Sequence, residues 1–437
     1  MSSRVLFAAW PFPGHLLPQI GIARALRERG HEVAFYSGPS ARALVEQAGF
    51  ELHPFERLSE QRVERILRPV DGSGRRGGPA AVRLLGLLRE WLVETMPAQI
   101  ADLQELLGSR RADVIASDVS MWAPTLVLWE AERIPTAACA TLMGPTIPGP
   151  DAPAFGLRPA RTPLGRLGMA ALTRSTELLA TQNRRRVDQL RAQHGLRPLG
   201  ESINRYFARL PLYLVGNVRE LDYERRDLPA SVHYVGPCAW YPDDESTARR
   251  LEQIPSTRPW VHVTESTTAS GEPFLLRTAI EALAEEPVEV IVTTGRQRRA
   301  DVLDWPPLPA NVHVAPWLSH DQLMPRCAAL VTLGGTSTVL AGAEAGVPMV
   351  LVPHAWDRPD NARRVTETGA GIRLSARHLS AEELRAGVRK VLDDPSYRQA
   401  ARQLAAAVAA APGPGRAAEL LEQLAARRPE PAAKVAA

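Results

Sequence analysis

The chain has 437 residues, 45% hydrophobic and 23% charged, with 52 basic against 48 acidic side chains and a formal net charge of +4. That length gives two or three domains, each able to bury its own core. The charge is nearly even and scattered, which excludes the concentrated basic face of a nucleic-acid binder.

Cys139, Cys238 and Cys327 are far apart and form no C-x-x-C pair. This argues against a disulfide framework or a structural zinc site and fits a reducing cytoplasm. The N-terminal apolar run is short and cut by Pro11 and Pro13, so it does not read as a signal peptide. The weakly charged stretch 328–353 is broken by Gly334, Gly335, Gly342, Gly346 and Pro348. It suits strand, loop, helix and strand better than a membrane span.

Taken in chain order, residues 4–9 are a short apolar run ending in a Pro/Gly-rich turn. Ile20, Ala23 and Leu26 then keep helical spacing up to Gly30, and 33–36 is a second apolar run. Strand, loop, helix, strand is the reading. The unit repeats: a helix over 40–47 leads to a strand over 50–52, and a longer helix over 82–107 leads to one over 113–117. Such alternation predicts a parallel sheet covered on both faces. Prolines and glycines crowd 144–163 and an arginine-rich helix surrounds 184–191, so 145–205 reads as a cover over a cleft. Strands return over 212–215 and 232–235, and the polar stretch 241–247 reads as a linker.

After the linker the alternation restarts. Strands are expected over 260–264, 288–293, 312–314, 330–332 and 349–352, with helices over 274–284 and 339–345. Helices follow to about residue 425, before a tail of disordered composition. The expected division is therefore 1–240, 241–427 and a tail over 428–437. The fold class is α/β: two Rossmann-like, doubly wound halves whose strand C-terminal loops face a common cleft, where such folds bind ligands.

The chemistry-bearing residues fall on those loops. Neither a G-x-x-x-x-G-K-[ST] loop nor a D-x-D pair is present. His15 follows the first strand, where an imidazole can take a proton from a hydroxyl at neutral pH; a packing or capping histidine is the other reading. Asp118 ends the 113–117 strand on the same sheet edge and can orient His15, or simply cap a helix. Gly334, Gly335, Thr336, Ser337 and Thr338 link a strand to a helix, where close backbone approach and free amides suit a diphosphate; a turn capped by Ser337 or Thr338 is the alternative. Trp317 offers a flat face to a nucleobase, or is core. Asp357, Arg358, Asp360 and Asn361 follow another strand, either as sugar-binding groups or as plain loop polarity.

Three segments, PFPGHLLPQIGIARALRERGHEV, PWLSHDQLM with VTLGGTSTVLAGAEAGVPMVLVP, and DRPDNARRV, together resemble family 1 glycosyltransferases of the GT-B fold, of the bacterial type that glycosylates antibiotics and other natural products. The resemblance covers nearly the whole chain. It implies inverting transfer of a sugar from a UDP- or dTDP-linked co-substrate to a small acceptor, with no metal or other cofactor. It also implies His15 as catalytic base, Asp118 as its partner, and Trp317 stacked on the nucleotide base. His320 stands where the family usually has glutamine. The diphosphate loop falls on Gly334, Gly335, Thr336, Ser337 and Thr338, and Asp357 on the carboxylate that binds sugar hydroxyls.

Three positions depart from the pattern: Leu333 replaces a diphosphate-contacting histidine, Ala341 a ribose-binding glutamate with Glu344 one turn on, and Arg358 the glutamine after Asp357. Arg358 suits a phosphate or an acidic sugar, or is a rim arginine in solvent; for the whole chain the alternative is a degenerate GT-B protein that has lost its donor and acts as a partner or on a different reaction. For a hydrophobic acceptor the candidates are Trp10, Phe12, Met121, Trp122, Met143 and the face of the helix over 84–91, with 145–205 as an acceptor-side lid. A cytoplasmic monomer or homodimer without a membrane span is expected.

Overall fold

The computed structural model describes residues 2–67, 86–149, 151–153, 156–265, 273–295, 305 and 307–427. Its first sheet is wholly parallel and consists of β1 (Arg4–Ala8), β2 (Glu32–Ser37), β3 (Glu51–Pro54), β4 (Val114–Asp118), β5 (Thr136–Ala140), β6 (Leu212–Val215) and β7 (Val232–Tyr234). The spatial order is β3-β2-β1-β4-β5-β6-β7. The second sheet, also parallel, contains β8 (Trp260–Thr264), β9 (Glu289–Thr293), β10 (Val312–Ala315), β11 (Cys327–Thr332), β12 (Met349–Leu351) and β13 (Gly371–Arg373), in the order β10-β9-β8-β11-β12-β13. Each sheet reverses its winding once, between β1 and β4 and between β8 and β11. A crevice opens at such a switch point beyond the strand C-termini.

Helices cover both faces, so the central strands β4, β5, β8 and β9 are buried along their length. That is why β4, β8 and β9 read as apolar runs rather than alternating ones. β5, with the sequence TAACA, and the three-residue β13 escape the sequence reading because small or few side chains carry little hydrophobic signal. The helix expected over 82–107 is interrupted: a π-helical turn spans Glu90–Glu94 before the α-helix Met96–Ser109. Residues 82–85, Leu84 among them, and the 428–437 tail lie outside the described residues.

Two features change the domain picture. The polar stretch 241–247 is only partly a linker, because Asp244 caps the helix Glu245–Glu252 through its carboxylate. The final helix Gly413–Ala426, assigned by chain order to the second half, packs on the first instead. Its Ala417, Leu421 and Leu424 join Ile20, Ala23 and Leu26 of the helix Pro13–Glu28 in one buried cluster. Arg29 and His31 both bind Glu422 at 2.6 Å. Chain order cannot show this return, which is made where Gly413 N donates to Val235 O at 2.7 Å.

The Gly/Pro-rich cover also crosses between the halves. Gly156 N donates to Asp360 Oδ1 at 2.5 Å, and Arg363 Nε to Gly156 O at 3.2 Å, on the helix Arg358–Thr368 of the second half. Nearby, Arg364 Nε donates to Asp222 Oδ1 at 2.7 Å, and the Tyr234 hydroxyl to Asp222 Oδ2 at 2.6 Å. Within the 184–191 stretch, Arg191 is buried and pairs with Glu130 at 2.7 Å, which makes it a structural contact beneath the cover.

Candidate active site in the cleft

β1 and β4 pair in register, Ala8 beside Ser117, so the loops that follow them leave the sheet side by side. The helix Pro13–Glu28 begins with proline, whose missing N–H costs nothing at a helix start. His15 N and Leu16 N donate to Phe12 O, which fixes the first turn. This sets the His15 imidazole against Asp118, the last residue of β4, with Nδ1 hydrogen-bonded to Asp118 Oδ2. Asp118 is fully buried, and its other oxygen accepts from Ser120 N at 2.9 Å and Ser120 Oγ at 2.8 Å. An ionised carboxylate so satisfied is an acceptor only. It therefore holds the proton on His15 Nδ1 and leaves Nε2 with a free lone pair.

The expected acceptor residues divide. Phe12 is half-buried with its ring 4.9 Å from that of His15. Trp10, Met121 and Met143, by contrast, are enclosed in the core, and Trp122 is nearly so. Trp10 donates its indole N–H to Ser120 O at 3.2 Å and packs edge-on against Phe55 and Trp91. These four are core residues and do not line the cleft, because large apolar side chains gain most from full burial. Trp91, on the π-helical turn, is the residue that reaches the His15 and Phe12 rings, at 6.3 and 5.6 Å.

On the opposite wall, Leu333–Thr338 follow β11. Gly334 has φ +90, a conformation that side chains rarely adopt, and the space beyond Gly335 is open. The N-cap of the helix Thr336–Glu344 is Gly335, with no side-chain cap, so neither Ser337 nor Thr338 caps this turn. Its first amides are left to an external acceptor, and the dipole favours an anion there. Asn361, almost fully buried, braces the loop: its Nδ2 lies 2.9 Å from Gly334 O, 3.1 Å from Thr336 Oγ1 and 2.7 Å from Asp357 Oδ2. Thr336 Oγ1 also donates to Asp357 at 2.8 Å. Asp357 is thus tied to the glycine loop. The sequence reading offered Asn361 as a sugar-binding group or as plain loop polarity, and its inward turn is a correction to both that only the helix phase reveals.

Arg358 lies 3.3 Å from His354 Nδ1. Burial lowers its pKa, and Asp357 and Glu265 oppose that; it is not a solvent-washed rim arginine. Burial and Arg358 together push His354 down to about 4. Trp317 is half-buried and stacked on His320, rings 6.0 Å apart at 22°. His320 is buried against His262 and Tyr241. Burial lowers its pKa to about 4, so at neutral pH it is an uncharged platform. Leu333 and Ala341 are core, and neither offers a polar atom to the cleft. Glu344 is exposed, and partial burial with nearby Asp321 raises its pKa.

The two walls nearly touch, with Gly14 opposite Ser337. The His15 imidazole thus faces an uncapped helix start across a narrow cleft. Residues 277–424 match the family described as Erythromycin biosynthesis protein CIII-like, C-terminal domain. The chain is 34% identical over 432 residues to 4'-demethylrebeccamycin synthase of Lentzea aerocolonigenes, covering 97% of this chain and all of that one. The fold is similar to the crystal structure of the kitacinnamycin glycosyltransferase (TM-score 0.74, 22% identity, 97% and 99% of the two chains). It is also similar to that of the glycosyltransferase VinC in complex with dTDP (TM-score 0.64, 21% identity, 97% and 99%). The chain belongs to the GT-B glycosyltransferases of family 1, in the group that serves bacterial antibiotic and natural-product biosynthesis. It is a sugar-transferring enzyme of that group, and among the described residues no helix is long and apolar enough to cross a membrane.

Proposed function

We propose that the protein inverts the anomeric centre as it moves a sugar from a UDP- or dTDP-linked donor to a hydroxyl of a small hydrophobic natural product, with His15 as base and no metal. The observation that carries this is the His15–Asp118 pair directly opposite the uncapped start of the helix Thr336–Glu344. His15 Nε2 takes the proton from the acceptor hydroxyl as its oxygen attacks the anomeric carbon. The bond from that carbon to the diphosphate breaks, and its electron pair leaves with the diphosphate. Buried Asp118 stabilises the imidazolium that results. Charge developing on the leaving group is met by the amides at 336–338 and by Arg358, a fixed arrangement that needs no reorganisation during the reaction. Attack from the face opposite the leaving group, in one displacement, gives inversion. Trp317 on its neutral His320 platform suits the nucleotide base, and Asp357 suits sugar hydroxyls. The dTDP bound to VinC and the name of the Lentzea relative support the donor and acceptor classes.

Product mass after incubation with UDP- and dTDP-sugars, including uronates and deoxysugars, tests this. One sugar mass is expected on the acceptor, with transfer lowered about 10²–10⁴-fold in His15→Ala and comparably in Asp118→Asn. Full activity in His15→Ala sinks the assigned base. The second reading, a GT-B protein that has lost donor binding, draws on the apolar burial of Leu333 and Ala341. Calorimetry with UDP and dTDP decides it: micromolar binding of either rejects it.

A further inference from the structure

Two backbone irregularities, one in each domain, converge beside His15. Trp356, in the loop after β12, has φ +61, a left-handed conformation that a bulky side chain enters only at a free-energy cost and that concentrates at functional sites. Among the described residues Arg133 is the other non-glycine with positive φ, and it sits in an exposed turn. Trp91 lies in the π-helical turn Glu90–Glu94, a second kind of distortion enriched at functional sites. The result is that the two indoles meet across the cleft edge to face, centroids 6.2 Å apart at 81°. Trp91 in turn touches the rings of His15 and Phe12. Its indole N–H is enclosed and has no acceptor among the described residues, a state that normally calls for an explanation. Trp356 adjoins the proposed sugar contact, Asp357, in sequence, and its ring reaches the neighbourhood of the proposed base through Trp91.

We infer that Trp356 is a specificity-determining residue: it is the donor domain's wall of the acceptor site and, with Trp91 and Phe12, selects a flat aromatic acceptor beside His15. Aromatic faces and edges gain from offset or edge-on contact with another flat ring system, a gain that a saturated ring of equal size cannot reproduce. Two distorted backbone segments aim rings at one spot from opposite domains, so the wall is complete only when both domains contribute. The inference deepens the proposed transfer reaction and rests on it for the identity of the site, but it concerns acceptor binding and is read without turnover.

The test is calorimetry on the full chain in the presence of dTDP, with a planar polycyclic phenol and a saturated polycyclic alcohol of similar size. Wild type, Trp356→Gly and Trp356→Phe are compared, and thermal melts are recorded alongside. Wild type is expected to prefer the planar probe by roughly tenfold. Trp356→Gly should lose about that factor for the planar probe and under about twofold for the saturated probe and for dTDP, while Trp356→Phe recovers part of the loss. The melting temperature of the glycine variant should not fall, because glycine accepts the left-handed backbone. The proposal is overturned if wild type binds the two probes alike or binds neither. It is equally overturned if Trp356→Gly binds the planar probe as wild type does, or loses dTDP to the same degree. Planar-selective binding by a wild type that transfers no sugar from any donor would instead reject the transfer reaction and leave the Trp356 assignment standing.

Discussion

Gly14 and Ser337 face each other from opposite domains so closely that a Cβ on Gly14 would lie 3.1 Å from Ser337 Oγ. The contact joins the first turn of the helix that carries His15 to the first turn of the helix Thr336–Glu344, proposed above to meet the diphosphate. The approach of the proposed base to the proposed leaving-group site is therefore limited by a residue with no side chain.

Gly14→Ala is accordingly expected to separate stability from activity. Alanine favours a helix by about 1 kcal/mol over glycine, so the melting temperature should hold or rise. The same methyl forces Ser337 or the whole wall to shift by a few tenths of an ångström. Transfer depends steeply on alignment, and kcat/KM should fall by about tenfold. Adding Ser337→Gly to Gly14→Ala should restore much of the loss. A Gly14→Ala enzyme of full kcat/KM would show that the domains move apart during turnover.

Asn361 braces the glycine loop proposed to meet the donor. It spans Gly334 O and Asp357 Oδ2 from within the core, so Asn361→Ala leaves buried acceptors without a donor, at about 1–3 kcal/mol. The KM for nucleotide sugar should rise about tenfold, with kcat less affected. Asn361→Asp should be worse than alanine, because it sets a second carboxylate beside Asp357. Steady-state kinetics with donor varied would expose the opposite order.

Much of this site was legible in the sequence. Asp118 closes a buried strand, and His15 and the Gly334–Thr338 loop follow others; in a doubly wound sheet that position already means the crevice. What was not legible depends on rotation and return of the chain. Asn361 lies on the same helix as the half-buried Arg358 and Asp360, yet one step of helical phase turns it fully inward. Trp10 and Trp91 are both aromatic and near the cleft, but only contact with the finished sheet decides that the first is core and the second is wall. The left-handed backbone at Trp356 and the π-turn at Trp91 leave no mark in hydrophobic periodicity. Nor does the crossing of Gly413–Ala426 back to the first domain, since its apolar face would suit either half.

The buried pair between the domains should behave as a clasp. Arg364 binds Asp222 at 2.7 Å and lies 4.6 Å over the Tyr223 ring. The Asp222 side chain is only 2% exposed, so Arg364→Met strands its charge in the interface. A loss of about 3–5 kcal/mol is expected from breaking one side of such a pair. Arg364→Met with Asp222→Asn should recover a large part, because the stranded charge and not the missing attraction carries most of the cost. Denaturant melts of the two variants check this, and equal losses in both would reject it.

The other clasp, at the final helix, responds to pH. A hydrogen bond from Arg29, opposed by burial and aided by His31, holds Glu422 down to about 2, against an ordinary value of 4.5. The depressed value belongs to the folded state, so the folded protein resists a proton that the unfolded chain accepts. The carboxylate's contribution is therefore complete above about 4.5 and is lost as pH falls toward about 2. Glu422→Gln lacks it at every pH. Wild type should exceed Glu422→Gln in stability by a constant margin near neutrality, and the margin should shrink steadily between pH 4.5 and 2. Because Glu422 anchors the helix Gly413–Ala426 to the first domain, limited proteolysis at that helix should show the same convergence at low pH. A margin as wide at pH 3 as at pH 7 would mean that packing of Ala417, Leu421 and Leu424 holds the helix without help from this ion pair.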